Sequence, residues 1–389
     1  MGDFPKPIQA RASNPKALQE HFGSSDDLLP LWIAEPYLPV APSIVRALEA
    51  RATEGWYGYE VRREEAATAF RAWMNRRQRW SIDDAQLLVS PSIGTSIGAA
   101  LELGTKPGDS VVIQPPVFTD FKPLVVRAHR QVARNSLVLD GGRYTMDLDG
   151  FEACASEPDA TALILCNPHN PVGRVWAHDE LRDLAQICAA NDIFVIADEI
   201  HADVLLGGST FSPFASAAQG TGVRWAALHG PTKTFGLAGI ADTLIITTDE
   251  QFAEGFKAMS SRLHLARNNV FSLACLTVAY NEGDEWLDGM LSQIEMNAHI
   301  LRDELPALID LVYPEGSYLA WLDFRRLNMD VPDLAEWLPR EAKLALSPGH
   351  WFGREGAGFA RMTTAVESKI ITEAVSRLTE AIGRISRID

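Results

Sequence analysis

A single lysine in an apolar setting is the first candidate for chemistry. Lys233 lies in the segment WAALHGPTKTFGLAGI (225–240), where hydrophobic residues crowd both sides of it. Burial in such a setting lowers the pKa of an ammonium group, and the neutral amine that results is a nucleophile and a base. A lysine in a surface loop is the simpler interpretation of the same residues. Whether Lys233 is reactive therefore depends on what the fold brings near it.

Other polar residues directly follow predicted apolar strands. They are Asn170, Asp198 with His201 close behind it, and the small-residue turn Ser92-Ile93-Gly94. An amine such as Lys233 can bind an aldehyde cofactor as an imine, a buried carboxylate can keep a ring nitrogen protonated, and amides at a helix N-terminus bind phosphate. Taken singly, each residue is also explained as a helix cap or a turn. Together, and in this order, they indicate a site for an aldehyde cofactor that carries a phosphate.

Short apolar strands alternate with helices through most of the chain. Strands are predicted at residues 87–89, 110–113, 131–139, 162–166 and 193–197, and helices at about 42–52, 62–79, 96–103, 118–130 and 179–190. This alternation is typical of a mostly parallel sheet that is covered on both faces. Ligands of such sheets bind beyond the carboxyl ends of the strands. We therefore expect Asn170, Asp198 and Lys233 to meet in one crevice.

The organisation changes past about residue 280. Helices are predicted at 284–305, 331–340 and 369–385, and strands at 318–322, 344–346 and 359–362. This series favours a separate α+β domain. We expect residues 1–45 to form an N-terminal arm and part of the small domain, residues 46–280 a large cofactor-binding domain, and residues 281–389 a C-terminal small domain.

Composition limits the class of function. The 389 residues include 35 Lys and Arg against 51 Asp and Glu, and the net charge of −16 argues against nucleic acid or an anionic membrane surface as partner. The four cysteines form no CxxC pair, so we expect reduced thiols and no metal site. We also expect neither a signal peptide nor a transmembrane helix, because no long apolar run occurs. The expectation is a soluble cytoplasmic protein.

Three segments carry a specific resemblance. CNPHNPVGRVW (166–176), IADEIHAD (196–203) and TKTFGLAGI (232–240) resemble signature segments of fold-type I pyridoxal 5'-phosphate (PLP) enzymes. They are most similar to the cystathionine β-lyase-like C–S lyases of the class I/II aminotransferase family. Further matching segments, in order, are LWIAEPYLPVAP, EGWYGYE, LVSPSIG, QPPVFTDF, GSYLAWLDFRRLN and SPGHWFGREGAGFARM. The resemblance implies an α/β fold of type I: a large domain with a mostly parallel seven-stranded sheet between helices, and a smaller α+β domain.

The resemblance also implies roles around the ring of the cofactor, PLP. Lys233 is the catalytic lysine, which binds the cofactor aldehyde and moves protons at Cα of the substrate. Asp198 pairs with the pyridine nitrogen. Asn170 and His201 flank the ring hydroxyl, and Phe118 stacks on the ring.

Phosphate and substrate contacts follow from the same resemblance. The amides of Ser92-Ile93-Gly94 and the hydroxyl of Thr232 bind the cofactor phosphate. Tyr59 reaches the phosphate of the other subunit, which implies a homodimer with active sites at the subunit interface. Arg361 binds the carboxylate of an amino-acid substrate through its planar guanidinium. The other implied substrate contacts are Ala34, Tyr37 and Asn170.

The sequence departs from the pattern of these lyases mainly on the substrate side. Phe118 replaces a tyrosine, and the segment after Ala34 places Tyr37 where a carboxylate is expected. Gly230 and Gly236, three residues before and after the lysine, replace a serine and an asparagine. The usual Asn-x-Gly-Cys-Pro run after Arg361 is Met-Thr-Thr-Ala-Val.

The activity implied by the resemblance is β-elimination from a cysteine S-conjugate such as cystathionine, which gives a thiol, pyruvate and ammonia. Transamination and decarboxylation-linked deamination of such a conjugate stay open, because the orientation of the substrate decides which bond at Cα breaks. An alternative of another class is a regulatory PLP-binding protein without turnover. Its weakness is that the chain keeps Lys233 and has no appended helix-turn-helix. A nicotinamide-dependent enzyme is disfavoured, because no GxGxxG follows the first predicted strand.

Overall fold

The computed structural model describes residues 10–60, 64–265 and 269–385. Its strands, in chain order, are β1 (Leu29–Pro30), β2 (Gln86–Ser90), β3 (Ser110–Ile113), β4 (Gln131–Arg134), β5 (Val138–Asp140), β6 (Arg143–Thr145), β7 (Ala160–Cys166), β8 (Phe194–Asp198), β9 (Trp225–His229), β10 (Thr243–Thr247), β11 (Asp310–Val312), β12 (Leu319–Asp323), β13 (Leu344–Ala345), β14 (Ser347–Pro348) and β15 (Phe359–Thr363). Its helices are α1 (Pro15–Phe22), α2 (Pro42–Thr53), α3 (Glu64–Gln78), α4 (Ile93–Gly104), α5 (Phe121–Arg127), α6 (Leu148–Ala155), α7 (His178–Ala190), α8 (Phe214–Ala218), α9 (Pro231–Thr234), α10 (Glu250–Leu263), α11 (Val270–Glu282), α12 (Asp284–Glu304), α13 (Val331–Arg340) and α14 (Ser368–Ile385).

A seven-stranded sheet forms the centre of the molecule. Its strand order is β2-β10-β9-β8-β7-β3-β4, and only the pairs made by β10 are antiparallel. Alternate side chains of the central strands enter different hydrophobic clusters: Leu163 and Val195 lie on one face, and Ile164 and Ile196 on the other. Both faces are therefore covered, which explains the near-continuous apolar strands. The prediction of a mostly parallel seven-stranded sheet between helices is confirmed.

The strand register brings the carboxyl ends of several strands to one edge of this sheet. Asp198 lies opposite Cys166 of β7 and Leu228 of β9. On the other side of β9, Leu244 of β10 lies opposite His229, and its neighbour Thr243 lies opposite Ser90 of β2. The segments that follow β2, β7, β8 and β9 consequently start at the same edge.

A second, smaller sheet carries the C-terminal part of the chain. It has the order β11-β12-β15-β14 and is antiparallel, while the short strand β1 pairs in parallel with β13. Side chains of β1, β12 and β15 join α13 and α14 in one hydrophobic cluster. The N-terminal segment is thereby held against the small domain: Leu31 N donates to Ala345 O at 2.9 Å, and Thr363 N to Leu31 O at 2.9 Å.

Some strands and helices differ in extent from those predicted from the sequence. The single strand predicted at 131–139 is wrong: β4 ends at Arg134, and β5 pairs instead with β6 in a separate hairpin. The chain leaves the sheet at Asn135, whose side chain accepts from Gln114 Nε2 at 2.9 Å and donates to Asp147 O at 2.9 Å. Helix α5 is shorter than predicted and α4 begins three residues earlier. No element was predicted where β10, α10 and α11 lie.

A few expectations fall outside the described residues. The predicted start of the second helix at Arg62 lies there, as do residues 1–9 of the expected N-terminal arm and residues 386–389 of the expected C-terminal domain. Within the described residues, no helix combines the length and the apolar character needed to cross a membrane.

Candidate active site

A cavity of about 400 Å³ lies where the carboxyl edge of the large sheet faces β14 and β15 of the small one. Among the residues that the sequence predicted for the site, Ala34, Phe118, Lys233 and Arg361 line it. The other lining residues are Arg11, His21, Trp32, Ile33, Thr119, Asp120, Ser347, Trp351 and Phe352. A larger cavity of about 800 Å³ between α2 and α12 contains none of the predicted site residues.

Lys233 lies in the short helix α9, directly after β9. Its Nζ donates to the carbonyl of Ala34 at 2.7 Å. Burial lowers the pKa of this ammonium group, and the positive charge of Arg361 lowers it further, while Glu35 and Asp198 act in the opposite direction. Lys233 is therefore not a surface lysine, because its amine faces the cavity in surroundings that favour the neutral form.

Asp198 ends β8 and is only 4% exposed. Burial raises the pKa of its carboxyl from 3.8 to about 6, although a hydrogen bond from Ile200 N and the positive charges of Lys233 and His229 lower it. The Ile200 amide donates to Asp198 Oδ1 at 3.3 Å. A buried carboxyl in this state would gain from a cationic partner, since a charge pair repays part of the cost of burial.

Asn170 and Arg361 meet across the cavity wall. Arg361, on β15, donates from Nη1 to Asn170 Oδ1 at 3.0 Å and from Nη2 to Trp32 O at 2.8 Å and Ser347 Oγ at 3.3 Å. The guanidinium carbon lies 4.8 Å from the centre of the Phe352 ring. These contacts fix the plane of the guanidinium without neutralising its charge.

The charge of Arg361 has no counter-ion within the described residues, because none of their carboxylates forms an ion pair with it. The side chain is buried, its Nε has no hydrogen-bond partner, and burial lowers its pKa to about 10. An unpaired buried charge is costly, so its presence beside a cavity indicates an anionic ligand.

His201 is buried beside Ser317 and Tyr318. Its Nδ1 is 3.1 Å from Ser317 Oγ, and its ring is edge-on to Tyr318 at 5.6 Å. Tyr318 donates in turn to Ala34 O at 3.2 Å, so this carbonyl accepts from two side chains. Burial and the charge of Lys233 hold the pKa of His201 well below its usual range, which keeps the imidazole neutral.

Ser92 begins helix α4. Its Oγ accepts from Thr95 N at 3.1 Å, which leaves the amides of Ile93 and Gly94 in the first turn without helical partners. A Cβ on Gly94 would meet only Ser92 Oγ, at 4.0 Å, so there is free space on the Cβ side of this residue. Thr232 lies one residue before Lys233 and is 9% exposed. Ser92-Ile93-Gly94 and Thr232 share the sheet edge with Lys233 but do not line the cavity.

Of three aromatic residues predicted for the site, only Phe118 lines the cavity, and Tyr37 and Tyr59 do not. Phe118 lines the cavity and packs edge-on against Phe121 at 5.6 Å. Tyr37 lies in the hydrophobic cluster of the small domain, where its hydroxyl donates to Ile33 O at 3.4 Å, and it does not line the cavity. Tyr59 is 87% exposed and also lies away from the cavity lining.

Glycine stands on each side of Lys233, at positions 230 and 236, for different structural reasons. A Cβ on Gly230 would lie 3.3 Å from both Ile200 Cδ1 and Thr243 Cγ2, so the backbone packs closely there. Gly236 has a φ of 70°, in the left-handed region that favours glycine, and a Cβ there would meet only ordinary contacts with Pro36 and Val40 at 3.9 Å. Close packing explains the first glycine and backbone conformation explains the second.

A buried contact between a histidine and a glutamate behind the site was not predicted from the sequence. His229 Nε2 lies 2.9 Å from Glu199 Oε2, and Glu199 Oε1 accepts from Phe214 N at 2.7 Å. Glu199 follows Asp198, and His229 precedes the loop of Lys233, so the pair joins the two segments that carry these residues. The available signal was a second acidic residue after Asp198 and a histidine at the end of a strand.

Comparison with known proteins places the chain in a family. The family model for aminotransferase class I and II matches residues 27–378. The protein therefore belongs to the aminotransferase class I and II family.

The chain is also similar to individual proteins and solved structures. The chain is 33% identical over 368 residues to cystathionine beta-lyase PatB of Bacillus subtilis, covering 94% of this chain and 95% of that protein. A PLP-bound structure from Clostridium difficile 630 has a TM-score of 0.91 and 33% identity, covering 98% and 99% of the two chains. Cystalysin from Treponema denticola, which contains PLP, has a TM-score of 0.87 and 30% identity, covering 92% of each chain.

Proposed function

We propose that the protein is a PLP-dependent C–S lyase. The reaction is β-elimination: a cysteine S-conjugate and water give a thiol, pyruvate and ammonia. The Cβ–S bond breaks, the sulfur leaves with its electron pair and takes up a proton, and the amino group is released on hydrolysis. Similarity to a cystathionine beta-lyase and to cystalysin supports cleavage at sulfur over transamination.

The residues around Lys233 have the chemistry that PLP requires. Asp198 supplies a buried carboxylate for the pyridine nitrogen, and the neutral imidazole of His201, with Asn170, lies near Lys233 and Arg361 for the ring hydroxyl. The open first turn of α4 at Ser92, Ile93 and Gly94, together with Thr232, would hold the phosphate. Phe118 would cover the ring. When bound, PLP stabilises negative charge that develops at Cα of an amino acid.

One observation carries the proposal: Lys233 and an unpaired, buried Arg361 face the same cavity. Arg361 would bind the α-carboxylate of the substrate, because it lines the cavity, its charge has no counter-ion among the described residues, and its Nη atoms are already oriented by Asn170 and Trp32. With the carboxylate held, the Cα proton can be presented to Lys233. The lowered pKa of the Lys233 amine suits it to take this proton.

The carbonyl of Ala34 would position Lys233. It accepts from Lys233 Nζ at 2.7 Å and from Tyr318 at 3.2 Å, so the amine is held towards the cavity in the unliganded protein. Tyr37 supports this segment from the small domain, and we propose that its contribution to substrate binding is through Ile33 and Ala34.

We propose further that the working unit is a cytoplasmic homodimer. The exposed aromatic rings of Trp56, Tyr57 and Tyr59, at 57%, 55% and 87%, support an interface at this loop, where Tyr59 would reach the phosphate of the partner. Four free cysteines, three of them buried, support a reducing compartment. The division into an arm (1–45), a large domain (46–280) and a small domain (281–389) belongs to the same proposal.

The test is product analysis with the PLP-loaded protein. Cystathionine and an S-alkylcysteine are incubated with the wild type and with Lys233→Ala, and free thiol and pyruvate are measured. We expect equal amounts of both products from the wild type and none from the variant. A keto acid that retains the sulfur identifies an aminotransferase instead. PLP absorbance that depends on Lys233, without any product, identifies a regulatory protein.

A further inference from the structure

The outer end of the cavity has features that the roles above do not use. Arg11, in a short 3-10 helix (Arg11–Ser13), and His21, on α1, line the cavity together with Trp32 and Trp351. We call these four residues the outer wall. The His21 and Trp32 rings are 4.9 Å apart, His21 and Trp351 5.8 Å, and Trp32 and Trp351 6.3 Å. The guanidinium carbon of Arg11 lies 5.7 Å from the centre of the Trp32 ring.

Trp32 connects the outer wall to the inner end of the cavity. Its carbonyl accepts from Arg361 Nη2 at 2.8 Å, while its ring lies beneath Arg11. Both guanidinium groups therefore lie against the same tryptophan, Arg361 at its carbonyl and Arg11 over its ring. A substrate whose α-carboxylate is bound by Arg361 can direct its sulfur substituent along the face of this residue towards Arg11.

The charges of the residues that line the cavity also favour an anionic substituent. Three formal cations, Arg11, Lys233 and Arg361, line the cavity with one carboxylate, Asp120, although the whole chain has a net charge of −16. Lys233 and Arg361 have roles in the proposed reaction, and Arg11 has none. Within the described part of the chain, Arg11 forms no ion pair. Burial raises the pKa of Glu35, and the positive charges of Lys233 and Arg11 offset part of this rise, so Glu35 interacts with Arg11 electrostatically without forming an ion pair.

We propose that Arg11 is a specificity-determining residue that binds a carboxylate at the far end of the sulfur substituent. The aromatic rings of the outer wall cover the apolar stem between sulfur and carboxylate. The preferred substrates are then cysteine S-conjugates with an acidic tail, and neutral S-alkyl conjugates are poorer. This inference rests on the proposed function, because it concerns the substrate of the same site.

The test compares two substrates of equal size. S-(3-carboxypropyl)cysteine and its amide, S-(3-carbamoylpropyl)cysteine, differ in the charge at the end of the tail. We expect the wild-type holoenzyme to cleave the acid with a kcat/KM about two- to fivefold higher than the amide, as a contact between opposite charges near solvent allows. Arg11→Gln should bring this ratio to about 1, and Arg11→Lys should retain part of it because the charge remains.

A matched control lies on the same arm. Lys16, on α1, is exposed and does not line the cavity, so Lys16→Gln should leave the ratio of acid to amide unchanged. An unchanged ratio in Arg11→Gln overturns the proposal. An equal loss on both substrates also overturns it, since Arg11 would then act on the cavity as a whole.

Failure of the two proposals can be told apart. If the wild type releases no thiol from either conjugate, the proposed lyase function fails. Calorimetry then tests the role of Arg11 without turnover. It measures the dissociation constants of the acid and the amide for the wild-type and Arg11→Gln holoenzymes, and their ratio is compared. A preference for the acid that disappears in Arg11→Gln supports the role, and equal dissociation constants for the wild type refute it.

Discussion

Asp198 should make the stability of the cofactor-free protein depend on pH. Burial raises its pKa from 3.8 to about 6, so the folded protein holds this proton more tightly than the unfolded chain. The stability that this group contributes is present at low pH and is lost as the pH rises through about 6. Asp198→Asn keeps the size and an acceptor oxygen for Ile200 N, but it cannot ionise.

The magnitude follows from the two pKa values. One pKa unit corresponds to about 1.36 kcal/mol, so the full effect of Asp198 is about 3 kcal/mol. Between pH 5 and pH 8, the contribution of Asp198 to the free energy of unfolding falls by about 1.4 kcal/mol, because the rest of the effect is already lost below pH 5. The stability of Asp198→Asn relative to wild type should therefore increase by about 1.4 kcal/mol between these pH values.

Urea denaturation of the cofactor-free wild type and variant at pH 5 and pH 8 measures this difference. Asp84→Asn, at an exposed carboxyl, is the control for the general loss of a negative charge. The reasoning is refuted if the stability of Asp198→Asn minus that of the wild type is the same at both pH values or is higher at pH 5. Addition of PLP at pH 8 should stabilise the wild type more than the variant, because a carboxylate pairs with a pyridinium and an amide does not.

Three further substitutions test the site. Arg361→Lys keeps the charge but loses the planar guanidinium. In steady-state assays we expect kcat/KM for cystathionine to fall about 100-fold, mainly through a higher KM. An unchanged KM contradicts a contact between Arg361 and the substrate carboxylate. Glu199→Gln replaces the buried carboxylate beside His229 with a neutral amide, and urea denaturation should record a loss of about 2 kcal/mol. A loss below about 1 kcal/mol means that the carboxylate is dispensable. Gly230→Ser, whose Cβ would lie 3.3 Å from Ile200 Cδ1, should cost about 1 kcal/mol without improving PLP affinity. Tighter PLP binding by this variant in a titration would mean that the serine reaches the phosphate.

The central strands were predictable because their signal is local. Strands β3, β7 and β8 are apolar along their length, and a covered parallel sheet requires that pattern. Helix α11 was not assigned, because its buried residues face several directions and leave no helical periodicity. The place of β10 between β2 and β9 depends on partners far away in the sequence.

The sequence by itself determined the chemical types at the site and the edge of the sheet at which they gather. Lys233, Asp198 and Asn170 each follow an apolar strand, and the carboxyl ends of such strands meet at one edge. Local pattern alone establishes this much.

Only the tertiary structure decided which of these groups are charged, paired or left without a partner. The contacts of Arg361 to Asn170 and to Trp32 join residues 191 and 329 positions apart, and the arm that carries Arg11 reaches the same cavity. The depth of burial that sets the pKa of Asp198 and Lys233 comes from the same packing. Such contacts arise when distant segments cover one another, so no local propensity in the sequence contains them.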